Sequence, residues 1–155
     1  MKPVSVSVDV PQSREEIYDY LDVLGNHERF TDHLLLDWEL IGPERGVGAR
    51  ARMRVKSPGR DEWIEMEVIA AERPVMSTEE SVGANGRRRT RGTYWLEALP
   101  GGGTRITFEF AWLEAPVIER LAAPLTRSIV RRANAKSLDR LAQTLTSRNE
   151  GKERS

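Results

Sequence analysis

Hydrophobic and polar residues alternate with two different periods along the chain, and this difference separates strands from helices. Val4, Val6, Val8 and Val10 alternate with polar residues, which predicts a strand with one buried face. Residues 38–112 repeat this two-residue period in segments separated by turn-forming residues. Residues 116–155 instead place apolar side chains mostly three or four apart, which is typical of an amphipathic helix. These side chains are Ile118, Leu121, Leu125, Ile129, Leu138, Leu141 and Leu145.

Two short helices are expected between the first and second strands. Ser13 precedes Glu16 by three residues, which matches a capping box at the start of a helix that ends near Val23. A second short helix is expected over residues 26–32. The six strands that follow are joined by short turns, among them Ser57–Pro58–Gly59 and Asn85–Gly86. Because short turns join antiparallel neighbours, the sheet is predicted to be antiparallel.

The order of elements predicts an α+β fold in which a seven-stranded antiparallel sheet wraps around one long helix. This helix is expected to span about Pro116–Ser147, with a kink at Pro124, because proline lacks a backbone donor and crowds the preceding turn. Its apolar side chains from Ile118 to Ile129 are expected to face the sheet, whose apolar face needs a cover. Residues 1–149 are predicted to form a single domain, and residues 150–155 a frayed tail.

Charge and composition narrow the possible functions. Lys plus Arg and Asp plus Glu are balanced at 24 each, so no overall field attracts nucleic acid. The charge is nevertheless uneven, with 17 acidic and 10 basic residues in 1–83 but 4 acidic and 9 basic in 116–155. Cysteine is absent, which excludes disulfides and thiolate chemistry. No apolar run is long enough to span a membrane. We therefore expect a cytoplasmic protein without stable membrane insertion, as a monomer or a homodimer.

Several segments resemble the START-like helix-grip superfamily and, within it, the polyketide cyclase/dehydrase-like SRPBCC proteins. The segment from Val6 to Leu21 looks like the strand-then-helix start of this family, and Gly46–Met53 is similar to its Gly-x-Gly strand start. Gly101–Phe108 resembles its Gly-Gly-Thr turn signature, and the stretch from Pro124 to Leu138 resembles its closing helix. The resemblance implies a START-like ligand-binding domain with a cavity between sheet and helix. The family includes lipid carriers and aromatic cyclases, so it implies a pocket rather than a reaction.

Glu80 is the candidate catalytic residue. The face that holds Met76 and Val82 is interpreted as the inner face of its strand, which would point Glu80 into the cavity. A buried carboxyl has a raised pKa and can act as a general acid or base. The alternative is that Glu80 pairs with an arginine of the next strand, either Arg88 or Arg91.

Candidate ligand-binding residues come from the apolar faces of the strands and the helix, together with a few polar groups near them. His33 is included because its loop lies near the pocket mouth in helix-grip proteins, whereas His27 is interpreted as a surface residue. Two histidines without a carboxylate cluster do not indicate a metal site, and no cofactor motif is present. The candidate set is His33, Met53, Met66, Thr78, Tyr94, Phe108, Phe110, Leu121 and Leu125.

The sequence leaves three functions open, the last of which is a protein-interaction module that uses the same groove. The first is binding of a hydrophobic small molecule, lipid-like, polyketide or aromatic, in a cavity between sheet and helix. The second is a polyketide cyclase or dehydratase type of enzyme that uses an acid/base residue of the same pocket. Basic residues interleaved with exposed aromatics, which nucleic-acid binding requires, are not evident.

Overall fold

Seven strands form one antiparallel sheet, and a long C-terminal helix packs against it. The computed structural model describes residues 1–56 and 61–154. The strands span Val4–Val10 (β1), Leu35–Ile41 (β2), Arg50–Val55 (β3), Glu62–Glu72 (β4), Met76–Gly83 (β5), Arg88–Ala98 (β6) and Thr104–Glu114 (β7). The helices span Arg14–Asp22 (α1), Glu28–Thr31 (α2), Val117–Leu121 (α3) and Ala123–Arg154 (α4), with a 3-10 turn at Leu24–His27. The strand order is β1-β7-β6-β5-β4-β3-β2, with every neighbouring pair antiparallel. The predicted α+β helix-grip fold is confirmed.

Local sequence signals account for several of these boundaries. The hydroxyl of Ser13 accepts a hydrogen bond from the backbone N–H of Glu16 at 3.2 Å, which caps α1 as the capping-box spacing predicts. Between β5 and β6 the chain reverses at Asn85 and Gly86, whose φ angles of 57° and 87° suit these two residue types. The expected turn at Ser57–Pro58–Gly59 lies outside the described residues.

The C-terminal helical region is interrupted next to Pro124, where a kink was expected. The interruption lies at Ala122 (φ −100°, ψ 30°), two residues before Pro124, so that a short helix α3 precedes α4. This position is consistent with the crowding that proline imposes on the preceding turn. At the other end, α4 continues to Arg154.

The prediction that the first half of the helix faces the sheet is wrong. Ile118, Leu121, Leu125 and Ile129 are exposed, whereas Leu138, Leu141 and Leu145 are almost completely buried. The reason is geometric, because Leu125 and Leu138 are 13 residues apart, which at about 3.6 residues per turn places them on nearly opposite faces. The apolar series is therefore two stripes, of which only the second covers the sheet.

Two apolar clusters form the core and leave space between sheet and helix. The first joins Ile17 and Leu21 of α1 to Ile106 of β7 and to Leu138 and Leu141 of α4. The second lies under β2, β3 and β4, and its fully buried members include Met53. Residues of both clusters line one cavity, which is the candidate site.

Candidate functional site

A cavity of about 510 Å³ lies between the inner face of the sheet and α4. This volume is in the range of pockets that hold small organic ligands. Its wall is mostly apolar and aromatic, with Met66, Tyr94, Phe108 and Phe110 from the sheet and Val130 and Leu138 from α4. Gly92 of β6 keeps the wall open beside Phe108, because a Cβ atom at this position would lie 2.6 Å from the ring of Phe108.

Four of the predicted ligand-binding residues, Met66, Tyr94, Phe108 and Phe110, line this cavity. Of the other five, Met53 is fully buried in the core below β3, and Leu121 and Leu125 are exposed on the outer face of α3 and α4. These three expectations are corrected.

Thr78 and His33 do not line the cavity, and their side chains form hydrogen bonds within the fold instead. The Thr78 hydroxyl lies 3.1 Å from the Thr93 hydroxyl on the neighbouring strand. His33 bonds through Nε2 to the carbonyl oxygen of Ala133 at 3.1 Å, and its Nδ1 lies 3.1 Å from a guanidinium nitrogen of Arg140. This pattern fits a neutral imidazole that donates from Nε2 and accepts at Nδ1. His33 thus holds the loop before β2 against α4.

The orientation predicted for Glu80 is also wrong. Glu80 accepts a hydrogen bond from Arg91 at 2.6 Å, and both side chains are partly exposed. Successive side chains of a strand point to opposite faces, and Glu79, the preceding residue, lines the cavity. The alternative interpretation, in which Glu80 pairs with Arg91, matches the structure. Arg88, the other alternative partner, points into the cavity.

Glu79 is the carboxyl that the cavity encloses. Its residue is only 9% exposed and, among the described residues, its carboxyl group forms no hydrogen bond with the protein. Burial raises the pKa of Glu79 from 4.5 to about 8, because the charged carboxylate loses its hydration without gaining a compensating partner. At pH 7 the group is therefore mainly a neutral carboxylic acid, which can donate one hydrogen bond into the cavity.

His27 lies beside Glu79 and is buried, contrary to its interpretation as a surface residue. Its Nε2 lies 2.7 Å from the carbonyl oxygen of Leu21, so Nε2 carries the proton and Nδ1 keeps its lone pair. This Nδ1 lies 3.8 Å from a carboxyl oxygen of Glu79. Burial lowers the pKa of His27 from 6.5 to about 4, although the bond to Leu21 opposes that shift. The separation would allow an ion pair, but at neutral pH both groups are uncharged.

Aromatic rings hold the imidazole of His27 in place. Its ring centroid lies 5.3 Å from that of Phe30 and 5.6 Å from that of Tyr94, which it meets edge-on. The Thr31 hydroxyl in turn donates to the His27 carbonyl oxygen at 2.7 Å. Glu79, His27 and Tyr94 therefore form one polar group, which we call the acid cluster, in a mostly apolar wall.

A second polar feature lies on the helix side. Asn134 of α4 is buried and lines the cavity, and its amide nitrogen has no hydrogen-bond partner among the described residues. A buried donor without a partner costs about 1–3 kcal/mol, so it favours a ligand that offers an acceptor. The sequence offered no signal for this role, because an asparagine at this helical position is equally compatible with the solvent face.

Three charged side chains form an ion cluster in another part of the cavity wall. Arg88 of β6 donates from Nε to the two carboxyl oxygens of Glu119 in α3, at 3.0 and 3.1 Å. It also donates to Glu62 of β4. All three residues line the cavity, and their side chains are about one quarter exposed. The cluster connects α3 to two strands of the sheet.

Within the described residues, no group of three or more His, Asp or Glu side chains converges in a metal-binding arrangement. None of the helices described is both long and apolar enough to cross a bilayer. The polar groups of the cavity wall include the acid cluster, the amide of Asn134 and the ion cluster, together with Lys56 and several serine and threonine residues.

The fold and the cavity define a helix-grip protein with an internal site for a small ligand. The chain belongs to the family described as polyketide cyclase/dehydrase and lipid transport, whose model matches residues 1–146. No curated protein matches the sequence significantly.

Solved structures share the fold at low sequence identity. A protein from Thermus thermophilus is similar with a TM-score of 0.74 and 17% identity, over 94% of this chain and 98% of that one. Norcoclaurine synthase from Thalictrum flavum is similar with a TM-score of 0.64 and 18% identity, over 88% and 84% of the two chains. A protein of the dynemicin biosynthetic locus is similar with a TM-score of 0.66 and 16% identity, over 94% of this chain and 48% of that one. At these identities the likeness concerns the fold alone.

Proposed function

We propose that the protein binds a hydrophobic small molecule, lipid-like, polyketide or aromatic, in the cavity between the sheet and α4. The observation that carries the proposal is a mostly apolar cavity of about 510 Å³ with an unpartnered amide donor and a buried carboxyl on its wall. Apolar burial supplies the affinity, at about 25 cal/mol per Å². Asn134 and the neutral carboxyl of Glu79 each favour a ligand group that accepts a hydrogen bond, such as a carbonyl oxygen.

A cavity-filling variant tests the proposal. Ala133 of α4 lines the cavity, whereas Ala135, two residues further on, does not. Ala133→Phe is expected to weaken binding of an apolar naphthalene fluorophore by at least about tenfold, because the ring occupies ligand space. Ala135→Phe is the matched control, with the same change on the same helix, and should leave the dissociation constant unchanged.

Fluorescence titration of both variants, with thermal melts to verify folding, measures this effect. Equal affinities of Ala133→Phe and the unchanged protein would show that the fluorophore binds elsewhere and would count against the cavity as the ligand site. Native mass spectrometry of protein purified without added ligand would identify a molecule retained in the cavity.

The acid cluster favours a second candidate function, proton transfer to a bound substrate. A protonated Glu79 beside the free Nδ1 of His27 places a proton donor and a proton acceptor in one water-poor site. Glu79 would protonate a carbonyl oxygen of the substrate while His27 removed a proton from an adjacent carbon, as in a cyclisation or dehydration. The Tyr94 hydroxyl, also in the wall, would orient the substrate.

Glu79→Gln separates the two functions once a substrate is in hand. If Glu79 is a general acid, this variant should retain ligand affinity but lose about two to four powers of ten in rate. If the cluster only recognises the ligand, the variant should change affinity, and the unchanged protein should not accelerate the reaction. Single-turnover kinetics beside equilibrium binding measures both quantities.

A further inference from the structure

Five large hydrophobic side chains lie exposed at the start of the C-terminal helical region. They are between 59% and 81% exposed and fall within residues 117–129, on α3 and the first turns of α4. Single exposed hydrophobic residues are normal on a protein surface, but a cluster of this kind marks an interaction site. We call it the apolar patch, and its members are Val117, Ile118, Leu121, Leu125 and Ile129.

Basic residues continue the same surface. Leu125, Ile129, Arg132 and Lys136 follow one another at steps of four, three and four residues, which places them in one row along α4. All four are exposed, so the row is accessible from solvent. It is apolar at its N-terminal end and cationic one turn further on.

The charge around the apolar patch is almost entirely positive. Arg120 and Arg131 are also exposed, and neither of them nor Arg132 forms an ion pair among the described residues. Residues 117–140 contain only two acidic residues, and one of them, Glu119, already accepts a hydrogen bond from Arg88. The patch therefore lies in a field that attracts anionic groups.

The apolar patch also borders the ligand cavity. Ile129 is largely exposed and yet belongs to the cavity wall, together with Glu119 and Thr126 from the same region. A surface that binds to the patch would consequently lie next to this part of the cavity wall.

We propose that the apolar patch and the arginines around it dock the protein reversibly on an anionic lipid bilayer. The apolar side chains would enter the boundary between headgroups and acyl chains, and Arg120, Arg131 and Arg132 would pair with anionic headgroups. A second copy of the chain is the less suitable occupant, because it would bring the same unpaired arginines toward each other. The docking site borders the ligand cavity and shares Ile129 with it, but docking requires no ligand in the cavity, so this inference does not depend on the proposed function.

Vesicle flotation of the full chain tests the docking. Vesicles of equimolar phosphatidylcholine and phosphatidylglycerol are expected to bind the protein at least about tenfold more strongly than vesicles of phosphatidylcholine alone, and added salt should weaken that binding. The double change Leu121→Gln and Leu125→Gln should lower the partition coefficient by at least about tenfold. Arg131→Gln and Arg132→Gln should each lower it about fivefold.

Two controls separate docking from other causes of vesicle binding. Leu40→Gln with Ile41→Gln removes two exposed hydrophobic residues of β2 and should leave the partition coefficient unchanged. Ala133→Phe, which fills the ligand cavity, should also leave it unchanged, whereas extraction of a lipid into the cavity would be lost in that variant.

Three outcomes would overturn the proposal. The first is no binding to anionic vesicles, and the second is binding that Leu121→Gln with Leu125→Gln does not weaken. The third is a stable dimer in sedimentation velocity that the same double variant converts to a monomer, since a second copy would then cover the patch. Thermal melts of each variant verify that a loss of binding is not a loss of folding.

Discussion

Glu79→Gln is expected to raise the free energy of unfolding by about 3 kcal/mol at pH 7, because the wild-type side chain must remain protonated in the fold while it ionises in the unfolded chain. The folded pKa of Glu79 is about 8 and its ordinary value is 4.5. Between these two pH values the folded state binds more protons than the unfolded state, so stability falls as pH rises. Glutamine has nearly the same shape and no proton to lose, so it removes this penalty.

His27 changes the free energy of unfolding in the opposite direction to Glu79, and it does so in a lower pH range. Its pKa in the fold is about 4 against an ordinary 6.5, so between these values the unfolded chain binds more protons and stability rises with pH. The two contributions nearly cancel between pH 4.5 and 6.5. Above pH 6.5 the contribution of Glu79 to the pH dependence of stability dominates. The free energy of unfolding of the wild-type protein should therefore fall by about 1 kcal/mol between pH 6.5 and pH 8. In Glu79→Gln the free energy of unfolding should only rise with pH, because of His27, and should then reach a plateau.

Urea unfolding at a series of pH values measures both curves. Glu80→Gln is the matched control on the neighbouring residue, because Glu80 forms a partly exposed ion pair with Arg91. Glu80→Gln should lower the free energy of unfolding by at most about 1 kcal/mol. It should not change how this free energy depends on pH above pH 6.5. A Glu79→Gln variant that is less stable than wild type at pH 8 would contradict the neutral, unpartnered state of Glu79.

The fold could be predicted because each strand and turn carries its own local signal. The alternation of β1, the capping box of α1 and the Asn85–Gly86 turn all agree with the observed elements. Strands joined by short turns leave little choice of topology, so the antiparallel order followed directly. The family resemblance added the position of the helix across the sheet.

The acid cluster was missed although the sequence held the information. Tyr94 is one of the predicted cavity residues, and Gly92, two residues before it in the same strand, shares its face. A two-residue turn at Asn85–Gly86 pairs Gly92 with Glu79, as in the structure. Cross-strand partners in an antiparallel pair point to the same face, so Glu79 had to face inward as well. The wrong orientation resulted from taking the face of β5 that holds Met76 and Val82 as its inner face. Val82 is 41% exposed.

Other features could not have been found by pattern alone. The unpartnered amide of Asn134 depends on which face of α4 meets the cavity, and the burial of His27 depends on how the turn before α2 packs under the sheet. Both are tertiary contacts between segments far apart in the chain. By contrast, the exposed position of Leu125 follows from its angular distance to Leu138 and was available from the sequence.

Arg88→Met is expected to lower the free energy of unfolding by about 2 kcal/mol, because it leaves Glu62 and Glu119 near each other in the cavity wall without a counter-charge. The full cost of an unpaired buried charge is about 3–5 kcal/mol, and it is reduced here because the side chains are about one quarter exposed. The pKa of Arg88 is already raised despite desolvation, since both carboxylates stabilise its charge.

A compensated variant distinguishes lost charge pairing from lost packing. Arg88→Met combined with Glu62→Gln and Glu119→Gln removes all three charges, and it should recover most of the stability that Arg88→Met loses at neutral pH. Because Arg88 connects α3 to the sheet, the single variant should also speed association of the naphthalene fluorophore by loosening this side of the cavity. Urea unfolding and stopped-flow fluorescence measure the two effects. If Arg88→Met were as stable as wild type at pH 7, the ion cluster would not be what holds α3 against the sheet.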